Sequence, residues 1–494
     1  MERQIEISEK LQKARTYEEQ ALKKDTMAPK QLFHVCAPVG WINDPNGFSE
    51  YQGEKHLFFQ YYPYDTVWGP MHWGHVKTSD FIKWEHLPVV MAPDETYDGF
   101  GCFSGSALEW KGQHVLVYTG VEREEKDGKT TDYQRQCVAV GDGINYEKTQ
   151  KNPVITSDMI PQGGSKLDFR DPKVWTEDKY IYMVVGNRAE DGSGQILMYR
   201  TKDLATWEFV TILDRCANRY GKMWECPDFF ALEEKYVLMV SPQEMQAQEN
   251  EFHAGDGSLA IIGKYDRQTH QFVEEDFQSV DQGLDFYAPQ TMLTSDGRRI
   301  MIGWMQAWCE SWFTPEDGFC GMMTIPRELQ LKDGRLCQTP VRELADYYIG
   351  KHELKRQQVP QIFQKYDKLS GRTQMLELNV DGEGDYRFEL KLAANDQYYT
   401  SVCYDNRDKL LTFDRSYSGV RRDAAHTRSI NVLSNQESIK LQILMDRYSI
   451  ELFVNDGVQT MTSVIRTPEE IDGVYMKATG LAFVQAQKNN ICMK

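Results

Sequence analysis

Three carboxylates stand beside prolines at the head of apolar, strand-like runs. They are Asp44 in Trp41-Ile42-Asn43-Asp44-Pro45-Asn46-Gly47, Asp171 in Arg170-Asp171-Pro172, and Glu225 in Trp224-Glu225-Cys226-Pro227. Two carboxylates flanking a glycosidic bond are the minimum equipment for hydrolysing it, since one protonates the leaving oxygen while the other attacks or activates water. A third acid needs a separate task. Singly, each motif has a plain structural explanation: Asn-Asp-Pro-Asn-Gly is turn chemistry, and Arg170-Asp171 reads as an ion pair. Their recurrence in like surroundings favours one shared site.

Five apolar runs punctuate the first two thirds of the chain: Leu57–Gln60, Val115–Tyr118, Ile181–Val185, Val237–Val240 and Ile300–Trp304. They begin roughly 60 residues apart, a longer period than the ~40–45 residues of familiar propeller repeats. Ahead of each lies a related segment: NDPNGF, FSGSAL, RDPKVW, ECPDFF and YAPQTM. A second echo follows the runs in Thr78-Ser79-Asp80…Trp84, Gly141-Asp142…Tyr146, Thr201-Lys202-Asp203…Trp207 and Asp266…Phe272. A polar turn before an aromatic strand start, repeated at one period, predicts a five-bladed β-propeller of four-stranded sheets. In that fold the first strand of each blade lines the central channel. Aligned on Pro45, Pro172 and Pro227, Asp44 and Asp171 fall in register, with Glu225 one residue earlier along its strand, and all three should face one funnel.

The expected organisation is all-β with a short N-terminal helix. Residues 1–30 form a helical extension, with Glu/Lys pairs at helical spacing between Glu6 and Lys24. Residues 31–345 form the propeller, whose last blade takes in Met322–Gln330, and 346–365 a polar linker. From 366 to 494 short alternating strands (Gln374–Val380, Tyr386–Leu392, Ser438–Leu444, Tyr448–Val454) and the hairpin signal Asn455-Asp456-Gly457 predict a β-sandwich.

A net charge of −18 gives neither nucleic acid nor an anionic membrane a basic footprint to bind. The charged N-terminal stretch has no apolar core of the signal-peptide kind, and no run reaches the length of a membrane span, so a cytoplasmic location is expected. Ten cysteines are scattered from Cys36 to Cys492 without paired zinc spacing, which predicts reduced thiols, no structural disulfides and no metal.

The motifs WINDPNGF (41–48), FFQY (58–61), FSGS (103–106), RDP (170–172), WECPD (224–228) and DFYAPQ (285–290) together resemble glycoside hydrolase family 32, the β-fructofuranosidases. The resemblance covers nearly the whole chain. It implies a five-bladed propeller followed by a β-sandwich, no cofactor, and retaining hydrolysis of terminal β-fructosyl residues. It further implies Asp44 as nucleophile, Glu225 as general acid/base and Asp171 as the group that holds fructose hydroxyls and steadies the transition state. Carried onto matching positions, the fructose pocket comprises Asn43, Gln60, Trp68, Phe103, Ser104, Arg170, Tyr287 and Trp304, the last also readable as blade core. Asn43 and turn backbone are expected to keep Asp44 ionised, and the nearby Asp44 charge to encourage a proton on Glu225.

The implied partner is a small fructoside: sucrose, sucrose 6-phosphate or a short fructo-oligosaccharide. A phosphate would want a rim cation, for which Arg123, Lys166 and Arg188 lie in suitable loops without the sequence selecting among them. A non-catalytic sugar-binding propeller is the competing reading from another class. The C-terminal domain could shield the funnel or form a homodimer, and the sequence selects neither.

Overall fold

The computed structural model describes residues 7–24, 27–308, 312–433 and 437–493. The long sequence period resolves into five antiparallel blades. From the channel outwards, blade 1 is built of Gly40–Tyr51, Glu54–Tyr62, His72–Thr78 and Glu85–Met91. Blade 2 is Gly101–Trp110, Gln113–Lys126, Lys129–Gly141 and Tyr146–Lys148, and blade 3 is Gly164–Glu177, Tyr180–Ala189, Gly194–Thr201 and Trp207–Arg215. Blade 4 is Trp224–Leu232, Lys235–Pro242, Leu259–Asp266 and Gln271–Ser279; blade 5 is Tyr287–Leu293, Arg299–Trp304, Arg327–Lys332 and Arg335–Pro340.

The five apolar runs are the second strands of the blades. Each is covered on both faces by neighbouring blades, so Leu57, Phe58 and Phe59, or Val115 to Tyr118, are wholly buried. Such strands read as unbroken apolar runs rather than alternating ones. The second echo also has a physical cause. Asp80, Asp142, Asp203 and Asp266 each sit in the turn between the third and fourth strands, where one carboxylate oxygen accepts two backbone N–H groups, as Asp203 does from Ala205 (2.9 Å) and Thr206 (2.7 Å). An Asx turn caps the reversal, and the aromatic residue after it starts the outer strand.

Blade 5 does not begin a strand at Met322. The chain leaves it after Trp304, lays Phe319–Cys320 parallel to Gly40–Trp41 of blade 1, and returns at Arg327. This excursion hydrogen-bonds the last blade's chain to the first and closes the ring. The N-terminal helix runs Glu9–Leu22, its Ser8 cap accepting from the Leu11 amide (3.2 Å). It packs on the outer strand of blade 1, where Arg15 donates to the Val89 carbonyl (2.7 Å); Glu6, the expected helix start, lies outside the described residues.

The C-terminal domain is sheet-rich and sandwich-like. Gln374–Val380 and Tyr386–Leu392 are not two strands but parts of one, Gln374–Ala394, which pairs along its length with Gly473–Ile491. The first half borders Ile439–Asp446 and the second half Tyr399–Asp405. The pair therefore passes from one layer to the other, slipping register between Glu383 and Arg387 beside Gly384 (φ 65°) and Gly480 (φ 82°). The linker expected at 346–365 is corrected: Tyr348–Gln358 is an edge strand on Gly473–Ile491. Its exposed, charge-rich composition is what an edge strand uses to deter further pairing.

Buried charge joins propeller and C-terminal domain. Arg327, fully buried, donates to Glu451 (2.6 Å), Asp281 (3.0 Å) and Thr462 (2.6 Å). The His34 ring bridges Asp446 and Glu451 at 2.8 Å each. Burial alone would discharge that imidazole, but its two carboxylate partners outweigh it and raise its pKa to about 9.

Candidate active site

All five innermost strands carry the same defect near the channel mouth. Pairing with the second strand slips by one residue at Asn43-Asp44, Ser104, Asp171-Pro172, Cys226-Pro227 and Ala288-Pro289. Each is a β-bulge, a device that bends a strand and re-aims its side chains. Proline is tolerated there because a bulge asks for no ladder donor. In blades 3, 4 and 5 the residue before the proline adopts left-handed backbone: Asp171 (φ 68°), Cys226 (φ 48°) and Ala288 (φ 50°). Backbone held in such a conformation costs of order 1–3 kcal/mol per residue and gathers at sites that need a fixed geometry.

The bulges bring residues of different blades into contact. Arg170, Glu225 and Tyr287, the residues two before each proline, form a chain: Arg170 Nε donates to Glu225 Oε1 (2.9 Å) and the Tyr287 hydroxyl to Glu225 Oε2 (2.7 Å). Gln243 also donates to Oε2 (3.0 Å), the third residue to donate to this carboxylate. Asp44 accepts from the Ser104 hydroxyl (2.6 Å) and from Asn43 (3.1 Å). The Cys226 amide donates to Asp171 Oδ2 (3.0 Å), and its thiol lies 3.4 Å from Asp44 Oδ2 and 3.6 Å from Asp171 Oδ2. One cysteine, the neighbour of Glu225, thus touches both other acids.

Burial pushes the Asp44 carboxyl above its usual range; Ser104 and Asn43 pull it down, and the Glu225 charge pushes it further up. The expected Asn43 donor is present, but loss of water outweighs it. Asp171 is pushed up to about 7, first by burial and then by the charges of Glu225 and Asp44, against the pull of Arg170. Burial works against the Arg170 cation too, but Glu225, Asp171 and Asp168 more than offset it and raise its pKa. Desolvated carboxylates crowded together are costly to keep ionised, and positive charge developing beside them relieves that cost.

The remaining expected pocket residues divide into two groups. Trp68, about a third exposed, stands edge-on to Phe103 with ring centroids 5.8 Å apart, beside Phe100. Asn43 also accepts from the Trp41 indole (2.9 Å), and Gln60 donates to the Cys102 carbonyl (2.9 Å), so each is fixed by a backbone or aromatic neighbour. Trp304 is wholly buried, edge-on to Trp41 and to the exposed Trp308, with centroids 5.9 and 5.1 Å away. Among the described residues its indole N–H has no partner. Sequence reasoning passed over Cys226, Gln243 and Thr119, whose hydroxyl accepts from the Asp171 amide (3.0 Å). Cys226 carried a signal, its place between Glu225 and Pro227; Thr119, on a second strand, and Gln243, just past the end of one, carried none. The three cations expected in loops lie instead in strands: Arg123, on Gln113–Lys126, forks onto Asp132 (2.7 Å for each bond), Arg188, on Tyr180–Ala189, pairs with Asp168 (3.2 Å), and Lys166, on Gly164–Glu177, is exposed.

A five-bladed propeller with carboxylates gathered at bulges around one channel mouth has the build of a glycosidase. The model of the N-terminal domain of glycosyl hydrolases family 32 matches residues 34–340 and that of the C-terminal domain residues 344–490, and the chain belongs to this family. It is 39% identical over 444 residues to a sucrose-6-phosphate hydrolase of Zymomonas mobilis, spanning 86% of this chain and 83% of that protein. To the raffinose invertase of Escherichia coli it is 37% identical over 441 residues, 88% and 89% of the two chains. Among solved structures, a Bombyx mori β-fructofuranosidase superposes with a TM-score of 0.83 at 33% identity, covering 97% of this chain and 99% of that one. A point variant of the same silkworm enzyme has been solved in complex with sucrose.

Proposed function

We propose that the protein is a retaining β-fructofuranosidase that hydrolyses sucrose or sucrose 6-phosphate. The observation that carries this reading is the convergence of Asp44, Asp171 and Glu225 about Cys226. Asp44, held by Ser104, attacks the anomeric carbon of the fructosyl unit while Glu225 protonates the departing oxygen. Once Asp44 is esterified its charge is gone, and Glu225 takes a proton from the incoming water. Asp171, the acid with no bond to make, grips fructose hydroxyls and balances the positive charge that develops at the anomeric carbon. Asn43, Gln60, Ser104 and Arg170 supply further polar contacts, Trp68 and Phe103 wall the ring, and the wholly buried Tyr287 and Trp304 back the pocket from behind. Propeller and C-terminal domain divide near residue 345.

The relatives' names support sucrose and its phosphate as substrates, and a small fructoside inside the cell is consistent with a cytoplasmic enzyme. No described helix is long and apolar enough to cross a membrane. A sugar phosphate would have to draw Arg123 from Asp132 or Arg188 from Asp168, or use the exposed Lys166. The test compares kcat/KM for sucrose, sucrose 6-phosphate and a short fructan trisaccharide, with Asp44→Ala as control. Glucose or glucose 6-phosphate release that disappears in the control supports the reading. Binding without release by the wild type would make the protein a lectin, and a preference for the trisaccharide would make it an exo-fructosidase of short oligosaccharides.

A further inference from the structure

The residue that hydrogen-bonds Glu225 from blade 5 is held from outside the propeller. Tyr287 opens the innermost strand of that blade, and the chain leading into it is docked on the C-terminal domain. The amides of Gln282, Leu284 and Asp285 donate to the carbonyls of Thr460 (2.8 Å), Thr462 (2.8 Å) and Thr462 again (3.0 Å). Three bonds of this kind extend the Gln459–Val464 strand of the C-terminal domain by a piece of propeller. Gly283 makes the approach feasible, since a Cβ there would lie 2.1 Å from the Thr462 nitrogen and 2.2 Å from its oxygen.

Charge fixes the same segment. Asp285, wholly buried two residues before Tyr287, accepts from Arg415 Nη1 and from the Val464 amide (2.7 Å). Arg415 is 1% exposed and comes from the C-terminal strand Leu410–Tyr417. Its guanidinium also donates to the Val464 carbonyl (2.9 Å) and the Ala425 carbonyl (3.2 Å), and it lies 4.0 Å from the Trp312 ring. Downstream, Ala288 is locked in left-handed backbone with its amide on the Ser241 hydroxyl (3.1 Å). Tyr287 is therefore clamped on both sides, and little slack remains between Asp285 and the hydroxyl that meets Glu225.

We infer that the C-terminal domain takes part in the reaction as a positioning element: Arg415, through Asp285 and Tyr287, sets where the Glu225 carboxyl stands. The inference rests on Glu225 being the proton donor. A buried ion pair is by itself poor evidence of stabilisation, because the loss of water around both charges offsets their attraction. Orientation of a reacting group is a role in which such a pair has a distinct effect, since small displacements of a catalytic group cost large factors in rate.

The experiment compares two substrates across variants. Sucrose needs its leaving oxygen protonated, whereas an aryl β-fructofuranoside with a nitrophenol leaving group does not. For Arg415→Gln and for Gly283→Ala, per folded molecule counted by active-site titration, kcat/KM for sucrose should fall about ten-fold or more, part of the ~10²–10⁴-fold a placed proton donor supplies. The loss on the aryl fructoside should stay within about two-fold, and the limb of the sucrose pH profile that reports the donor should move. Arg415→Lys, which keeps the charge, should recover part of the sucrose rate and serves if Arg415→Gln does not fold. Equal losses on both substrates with an unmoved pH profile would overturn the inference and leave Arg415 a purely structural residue. Glu225→Gln is the control: if it fails to separate the two substrates, the assignment of Glu225 itself has failed, a result distinct from failure of the Arg415 variants alone.

Discussion

Replacing Glu225 by Gln isolates the proton from the scaffold that holds it. Oε1 accepts from Arg170 (2.9 Å), and Oε2 accepts from Tyr287 (2.7 Å) and Gln243 (3.0 Å). A glutamine can keep its amide oxygen towards Arg170 and turn its NH2 towards the other two. Tyr287 then turns its hydroxyl wholly to the Ser241 carbonyl, already 3.1 Å away, and Gln243 flips its amide. The site survives in shape, so the rate loss measures proton transfer. General acid catalysis is worth ~10²–10⁴-fold, about 3–5 kcal/mol of barrier. Steady-state kinetics should show kcat/KM for sucrose reduced by that factor and kcat/KM for a nitrophenyl fructoside reduced less than about ten-fold. The second step still lacks its base, so the fructosyl-enzyme should accumulate with the aryl substrate, and azide, which needs no deprotonation, should speed its breakdown. Equal losses on sucrose and the aryl fructoside would refute the argument.

Ser104→Ala removes the 2.6 Å hydrogen bond to Asp44, a bond to a charged group worth about 1.5–3 kcal/mol, so kcat/KM should fall roughly ten- to hundred-fold. Because Ser104 pulls the Asp44 pKa down, the acid limb of the pH profile should move to higher pH; an unmoved limb counts against Asp44 as the titrating nucleophile. Buried and neutral, His56 is held at about 4, His114 at about 3 and His75 well below its usual value, in each case chiefly by burial. All three bind protons more readily when unfolded, so their own contribution to stability is constant above about pH 6.5 and declines below it by up to about 1.4 kcal/mol per pH unit for each group, whereas His34, with its raised pKa, contributes stability that is lost as pH rises from about 6.5 through about 9. Urea midpoints between pH 7 and 5 should show this slope, and His114→Gln should flatten it; identical slopes would exclude His114 as a contributor. Arg327→Met strands the buried Asp281 without a cation and leaves Glu451 only His34, and should destabilise the protein by about 3–5 kcal/mol, read as a lowered unfolding midpoint.

Much of the propeller was legible because each blade repeats the same physical solutions. The doubly buried second strand writes an unbroken apolar run, and the Asx turn before the fourth strand writes an Asp followed by an aromatic residue. The three acids could be found because a bulge tolerates proline and a proline marks its place. The blade 5 excursion could not be read, since Phe319–Cys320 pairs with a strand far away in sequence and leaves no local pattern. Tyr348–Gln358 was hidden by its own exposure, as an edge strand covered with charge has the composition of a linker. The two C-terminal strands that proved to be one were separated by Gly382 and Gly384, which mark a bend between layers rather than an end. Burial also reversed the expected balance at Asp44, because a sequence shows the donors around a carboxylate but not the water it has lost.

The parallel pairing of Phe319–Cys320 with Gly40–Trp41 bears on how the enzyme comes into being at the ribosome. Every acid of the pocket has been translated by residue 225, yet the stitch that seals the circle arrives almost a hundred codons later. Until then the innermost strand of blade 1 lacks its parallel partner, so the ring is the last feature of the pocket to be completed although its acids are all in the chain.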